Sequence, residues 1–345
     1  MNKVEGLKIY YFSGTGNAKK IAEWISLFAN RENIVCDVIN IAKIDINSLK
    51  APNPDLLIVL ISPIHGFNYP KIVLRFIKNF PKGKNNVILM NTRAGMKIGK
   101  FVTPGLTGIA FMVSSLMLKI KGYSIKGHIP FDMPSNWISI HPALKEEPIK
   151  FIFKKNYERL EKHCNKIFFG KTDYYSNRDL IQDILISPVS FLYYLAGRFI
   201  FAKSYYASSD CDNCGLCIKN CPVNSIKQVY DRPYWTFNCE SCMKCMNSCP
   251  KNAIETAHGL FAIIGLAGPI VTTYIFFTLL GINVQNWFLR LGFYTIVFFI
   301  ILWLFYRIQQ LLLKNKFISR VIVWTSLTQY KFWGRYKIIS DDKWK

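Results

Sequence analysis

At 345 residues the chain is long enough for two or three units with buried cores, which excludes a single small module. Hydrophobic residues make up 51% and charged residues only 19%, which excludes a disordered or heavily solvated chain. Lys and Arg outnumber Asp and Glu by 44 to 21, a net charge of +23 that suits nucleic acid or an anionic membrane, and the placement of the charges decides between them.

The chain begins without the long apolar core and small-residue cleavage site of a secretory signal, so its amino-terminal domain is expected to stay in the cytoplasm. Five short runs, 7–12, 34–41, 56–62, 86–91 and 123–129, are apolar nearly throughout, as strands buried on both faces should be. Between them apolar residues recur at helical spacing: Ile21, Trp24, Ile25 and Phe28 after the first run, and Ile72, Phe76, Ile77 and Phe80 after the third. A last helix puts Phe153, Tyr157, Leu160, Cys164 and Ile167 on one stripe. This alternation predicts a doubly wound, five-stranded parallel α/β sheet over residues 1–172.

The first run leads into Ser13-Gly14-Thr15-Gly16-Asn17-Ala18, after which a helical pattern starts. A glycine-rich turn there lets successive amide hydrogens and a helix N-terminus cradle a phosphate, with Ser13, Thr15 and Asn17 as side-chain donors. In doubly wound sheets ligands sit beyond the carboxyl ends of the strands, which is where this turn lies. It resembles the S/T-x-T-G-x-T phosphate loop of flavodoxins, with Ala18 in place of the last Thr and so one hydroxyl fewer. That resemblance implies FMN, flanked by the loop 62–68 with His65 and Phe67 and the loop 91–95 with Thr92. His65 stands where relatives often carry Tyr, which leaves Phe67 or Tyr69 as stacking partner; His65 itself reads either as a flavin contact or as a satisfied loop histidine.

The stretch 101–118 carries no charge, but Pro104, Gly105 and Gly108, and its place between two strands, favour a buried or interfacial helix over a membrane span. Residues 173–204 read as a linker. Their apolar part, 184–202, is expected to lie along a membrane surface or to pack on the first domain. Cys36 and Cys164 fall on a strand and a helix stripe and read as small buried hydrophobes.

The strongest signal follows at 205–257. Cys211, Cys214, Cys217 and Cys221 with Pro222 give C-x-x-C-x-x-C-x-x-x-C-P, and Cys239, Cys242, Cys245, Cys249 and Pro250 repeat it. Three thiolates at intervals of three can wrap one cubane while the fourth serves the other, so one cluster is expected on Cys211, Cys214, Cys217 and Cys249, and a second on Cys239, Cys242, Cys245 and Cys221. Zinc is the alternative for C-x-x-C pairs, but two identical runs of four, each followed by Pro, favour two 4Fe-4S clusters. The segment resembles two-cluster bacterial ferredoxins.

Beyond it, 259–289 contains no Asp, Glu, Lys or Arg. Residues 260–281 and 287–306 are each long enough to span a bilayer, and 258–308 therefore reads as a two-helix transmembrane hairpin. Positive residues crowd the segment 309–345, which places that tail and the cysteine region on the cytoplasmic face of the membrane. Anionic lipid headgroups then account for the basic excess, and no nucleic-acid partner is expected.

Residues 1–256 together resemble the bacterial family of fused flavodoxin and ferredoxin proteins. The resemblance implies a flavodoxin-like sheet, a small α+β module with two clusters, and electron transfer between the clusters and FMN, exchanged with redox donor and acceptor proteins that the sequence does not name. Two alternatives stand beside it: a flavin-dependent reductase of a membrane substrate such as a quinone, and a non-catalytic redox sensor or scaffold. No G-x-G-x-x-G turn with a following acidic residue points to NAD(P)H.

Overall fold

A computed structural model describes residues 3–142, 144–274, 278, 281 and 286–329. Two compact units emerge: the first contains the described residues up to Gly197 together with Glu240–Met243, and the second contains Arg198–Cys239 and the described residues from Lys244 onward.

All five expected strands form one sheet in the first unit. Strand β1 (Gly6–Tyr11) leads to helix α1 (Asn17–Arg31), then β2 (Val35–Asn40), β3 (Leu57–Pro63), α2 (Lys71–Asn79) and β4 (Asn86–Gly95). A small hairpin, β5 (Lys97–Ile98) and β6 (Phe101–Val102), precedes α3 (Ala110–Ile120), β7 (Ser124–Pro134) and α4 (Glu146–Ile167). The sheet order is β2-β1-β3-β4-β7 with every pair parallel. That is the flavodoxin-like 2-1-3-4-5 order, whose switch point lies at the carboxyl ends of the first and third strands. One face buries Tyr10, Leu60 and Leu89 against Phe76, Phe111 and Leu118 of α2 and α3. On α1, Trp24 meets Phe153 and Tyr157 of α4 edge to face at 5.9 and 5.3 Å.

Residues 101–118 depart from the single helix expected of them. Phe101 and Val102 are strand, and the helix starts only at Ala110, after Pro104, Gly105 and the left-handed Gly108 (φ 62°). Proline and glycine break the run despite its uniform apolarity.

The segment 173–204 is ordered. Asp173 bridges to Gly127 beside β7, its N–H donating to Lys126 O at 2.9 Å. Helix α5 (Leu180–Leu192) follows, with Pro188 inside it, then a π-turn at Tyr193–Gly197 and α6 (Arg198–Ala202).

The second unit pairs β8 (Tyr205–Ala207) antiparallel with β11 (Ile254–Thr256), and β9 (Ile226–Val229) antiparallel with β10 (Arg232–Trp235). Short helices α7 (Leu216–Lys219) and α8 (Lys244–Ser248) lie between these strands in the chain. Among the described residues the helices α9 (His258–Tyr274), α10 (Trp287–Leu312) and α11 (Lys316–Trp324) follow. Of the first expected span, the end of 260–281 and the connection to α10 lie largely outside the described residues. The second span is α10, long and apolar enough to cross a membrane, as is the helical run Tyr175–Ala202. The last turns of α10 are committed to protein, since Leu302, Tyr306, Gln309 and Gln310 are buried and Tyr306 OH donates to Tyr205 O at 2.9 Å. The first part of the segment 309–345 is likewise packed. Leu313 joins Tyr206 and Ala257, and Glu255 accepts hydrogen bonds from Ser326 and Thr328. Residues 330–345 lie outside the described residues.

Candidate functional sites

In the first unit a cleft of about 600 Å³, part of it open to solvent, lies where the strand order reverses. Ser13, Gly14, Thr15 and Asn17 line it from the turn after β1, His65 from the turn after β3, and Thr92 from β4. Gly16 is the N-cap of α1 at φ 105°, with open space where a Cβ would point, and its N–H donates to Ser13 Oγ at 3.0 Å. No acidic side chain occupies the first turn of α1, so the helix end offers amide hydrogens and a positive dipole with nothing to oppose an anion. The turn therefore fits a phosphate. The Asn17 side-chain amide also donates to Pro134 O at 2.9 Å, which ties α1 to the end of β7.

His65 is half-buried in the cleft wall, and loss of solvent around its ring pushes it down to about 4 against a weaker opposing bond to the Glu240 backbone, so the ring is neutral. Phe67 does not line the cleft. Its backbone is left-handed (φ 64°) and its carbonyl accepts from Ile109 N and Ser190 Oγ, both at 3.0 Å. Tyr69 is a core residue whose hydroxyl donates to Met90 O at 2.9 Å. The aromatic residue that does line the cleft is Trp137, from the turn after β7. The sequence offered only its position after a strand end as a signal.

Arg93 also lines the cleft and was not anticipated. It is buried between two carboxylates, with Nε 2.6 Å from Asp132 Oδ1 and Nη1 2.7 Å from Asp179 Oδ2. Burial works against the charged guanidinium, yet Asp132 and Asp179 together hold its pKa above the ordinary value.

The tetrapeptide Glu240–Met243 belongs to this unit. Its Glu240 carboxylate accepts from Lys71 N and Ile72 N at 3.1 and 3.2 Å, capping α2, whose own N-cap is a proline. Cys242 rests on the phosphate turn: a Cβ added to Gly14 would stand 2.6 Å from Cys242 Cβ and 2.5 Å from its carbonyl oxygen. Only glycine fits there.

The cysteine runs are a structural repeat as well as a sequence repeat. Asn213, Gly215 and Asn224 adopt left-handed backbone, and so do Ser241, Met243 and Asn252 at the same three places relative to their cysteines. Ser225 N donates to Cys221 Sγ at 3.3 Å and Ala253 N to Cys249 Sγ at 3.4 Å. Burial and the neighbouring Cys211 and Cys249 thiols push Cys217 up to about 11, and burial with Cys249 among its neighbours raises Cys211. Cys249, from the far run, is thus an electrostatic neighbour of both Cys211 and Cys217. Among the described residues no three ligands surround a point as they would around one ion. A cubane places iron and sulfide between its thiolates and so needs wider spacing. The donor set fits clusters.

Lys203 was not anticipated. It is buried, donates from Nζ to Trp235 O at 2.7 Å and to Tyr234 OH at 3.1 Å, and lies 4.3 to 4.7 Å from the ring centres of Tyr234, Phe237 and Tyr306. Burial pushes it down to about 8, with Cys239 acting in the opposite direction.

Residues 210–254 match the family described as a 4Fe-4S dicluster domain. This part of the chain is an iron-sulfur domain. No curated protein matches the chain. Solved structures similar to the first unit include two-electron reduced flavodoxin from Megasphaera elsdenii, at 17% identity and TM-score 0.28 over 45% of this chain and 98% of that one. General stress protein 14 of Treponema denticola, in complex with FMN, aligns at 13% identity and TM-score 0.29 over 46% and 99%. Rubredoxin oxygen:oxidoreductase from Desulfovibrio gigas aligns at 12% and 0.31 over 48% of this chain, which spans about a third of that protein (36%).

Proposed function

We propose that the protein is a membrane-anchored electron carrier that passes electrons between two 4Fe-4S clusters and an FMN. The observation that carries this reading is the duplicated cysteine module, with eight sulfurs at repeated positions and the same left-handed turns in each copy. FMN accepts electrons singly or in pairs and an iron-sulfur cluster passes one at a time, so the two together convert between the two modes. The assigned ligands are Cys211, Cys214, Cys217 and Cys249 for one cluster and Cys239, Cys242, Cys245 and Cys221 for the other. The left-handed turns aim backbone amides at sulfur, and such bonds tune potential.

Ser13, Gly14, Thr15 and Gly16 with the first turn of α1 would hold the phosphate, and Thr92, His65 and Trp137 line the rest of the cleft. A neutral His65 brings no charge to the flavin site. Cys242 lies in the same compact unit as the phosphate turn and touches it, which supports exchange between the two redox centres over the quinone-reductase and scaffold readings. Electrons would enter from and leave to partner redox proteins. The hairpin with α10 would hold the protein in the cytoplasmic membrane, its redox units facing the cytoplasm.

The test is anaerobic purification followed by iron, sulfide and flavin analysis and a visible spectrum before and after dithionite. About eight irons and one FMN per chain are expected. Stoichiometric zinc without iron would reject the cluster assignment, and cluster-replete protein without flavin would reject the carrier reading.

A further inference from the structure

Helix α5 wears its polarity inside out. Asp183, only 5% exposed, accepts from Thr107 N at 3.0 Å and Gly108 N at 2.8 Å, and one side further along, Ser190 Oγ donates to Phe67 O. Two turns apart, these residues define the face that packs on the first unit. The opposite face carries Ile181, Leu185 and Leu192 at helical spacing, with Ile181 77% and Leu185 75% exposed, flanked by the exposed Ile184 and, in the π-turn that follows, Leu195. On α3 of the same unit, Met112, Leu116 and Ile120 are exposed as well. A groove lined by residues of α2, α3 and the end of α5 carries Lys71, Arg75 and Lys78 on its wall and no carboxylate.

We infer that this face of the first unit lies in the headgroup layer of an anionic bilayer, with α5 in the plane of the membrane. The inference deepens the membrane part of the proposed function and rests on it. Although the run that includes α5 is long and apolar enough to span, α5 keeps Asp183 and Ser190 bonded to loops of the α/β unit, so it lies on the membrane and does not cross it. The apolar stripe meets acyl chains while Lys71, Arg75 and Lys78 meet lipid phosphates or carboxylates. A second copy of this chain suits the surface poorly, since a two-fold contact would bring the same cations together.

The experiment uses the full chain reconstituted into phosphatidylcholine vesicles with about 30% phosphatidylserine, doped with a phosphatidylcholine that carries a diazirine in its acyl chain. After irradiation, adducts are mapped by mass spectrometry. Adducts are expected on 181–195 as well as on α10, and those on 181–195 should fall several-fold, relative to α10, in vesicles without phosphatidylserine. The double variant Leu185→Asp with Leu192→Asp, both at exposed positions, should lose the 181–195 adducts while keeping its iron and its α10 adducts. Adducts on α10 with none on 181–195 would overturn this inference and leave the anchor standing. No adducts on either would overturn the membrane reading itself. Protection of 181–195 from solvent without lipid adducts would assign the face to a protein partner and overturn the inference.

Discussion

The Ser225 amide donates to Cys221 Sγ at 3.3 Å, and 28 residues later Ala253 does the same to Cys249 at 3.4 Å. Each fourth cysteine is thus held by the turn that follows it, while the electrostatic neighbours of Cys217 are Cys211 and Cys249. Cys217→Ser and Cys249→Ser should therefore injure the same cluster although they fall in different runs. Paramagnetic resonance of the dithionite-reduced variants should show one shared pattern for this pair and a different one for Cys221→Ser. Separate patterns for Cys217→Ser and Cys249→Ser would sink the crossed assignment.

The phosphate turn offers a second test, because its two glycines are required for different reasons. Gly16 has open space around it but sits at φ 105°, where a branched side chain costs about 1–2 kcal/mol. Gly14 has ordinary room in its backbone but none beside Cys242. Gly16→Val should lower FMN content and leave iron unchanged. Gly14→Val should also disturb the spectrum of the cluster that takes Cys242. Equal iron spectra in the two variants would show that Gly14 and Cys242 do not need each other.

Sequence patterns exposed the five strands because uninterrupted apolar runs such as that of β3 have few other uses in an α/β chain. They also exposed the eight cysteines by spacing. They stopped short on β4 and β7, which continue to Gly95 and Pro134, since Arg93 and Asp132 look like loop residues until their pairing is seen. Periodicity registers apolar burial, and it does not register two charges burying each other. Trp137 was missed for a similar reason: a single aromatic residue after a strand has no repeat to announce it. Nor could spacing show that Glu240–Met243, inside the second cysteine run, caps α2.

His128 provides a pH signature that involves neither cofactor. Its ring stacks on Phe111 at 4.8 Å and pairs with Ser115 Oγ at 2.7 Å, and burial, helped by Lys119, pushes it down to about 4. Between pH 6.5 and 4 the unfolded chain binds a proton that the folded chain refuses, so stability falls as the pH drops through that window. The loss reaches about 3 kcal/mol at most, because each tenfold weakening of proton binding is worth about 1.4 kcal/mol. His128→Gln should start less stable at pH 7 but show a flatter melting temperature between pH 6.5 and 4. A slope identical to that of the parent chain would place the acid sensitivity elsewhere.

Tyr306 joins the last turns of α10 to the iron-sulfur module, because its hydroxyl donates to Tyr205 O at 2.9 Å and accepts from Trp235 N at 3.2 Å. Tyr306→Phe leaves two buried backbone groups without that partner, which should cost about 1–3 kcal/mol per unsatisfied group. Truncation after Thr256 goes further. It removes Tyr306 and also Ser326 and Thr328, leaving the buried Glu255 carboxylate without two of its donors. A stop placed there to release a soluble fragment should therefore lower iron content, whereas removal of the apolar first turns of α10 alone should not. Measuring iron per chain and the denaturant midpoint for both shortened forms separates an anchor from a structural strut. Full iron retention in the form that ends at Thr256 would show that these carboxyl-terminal contacts are dispensable.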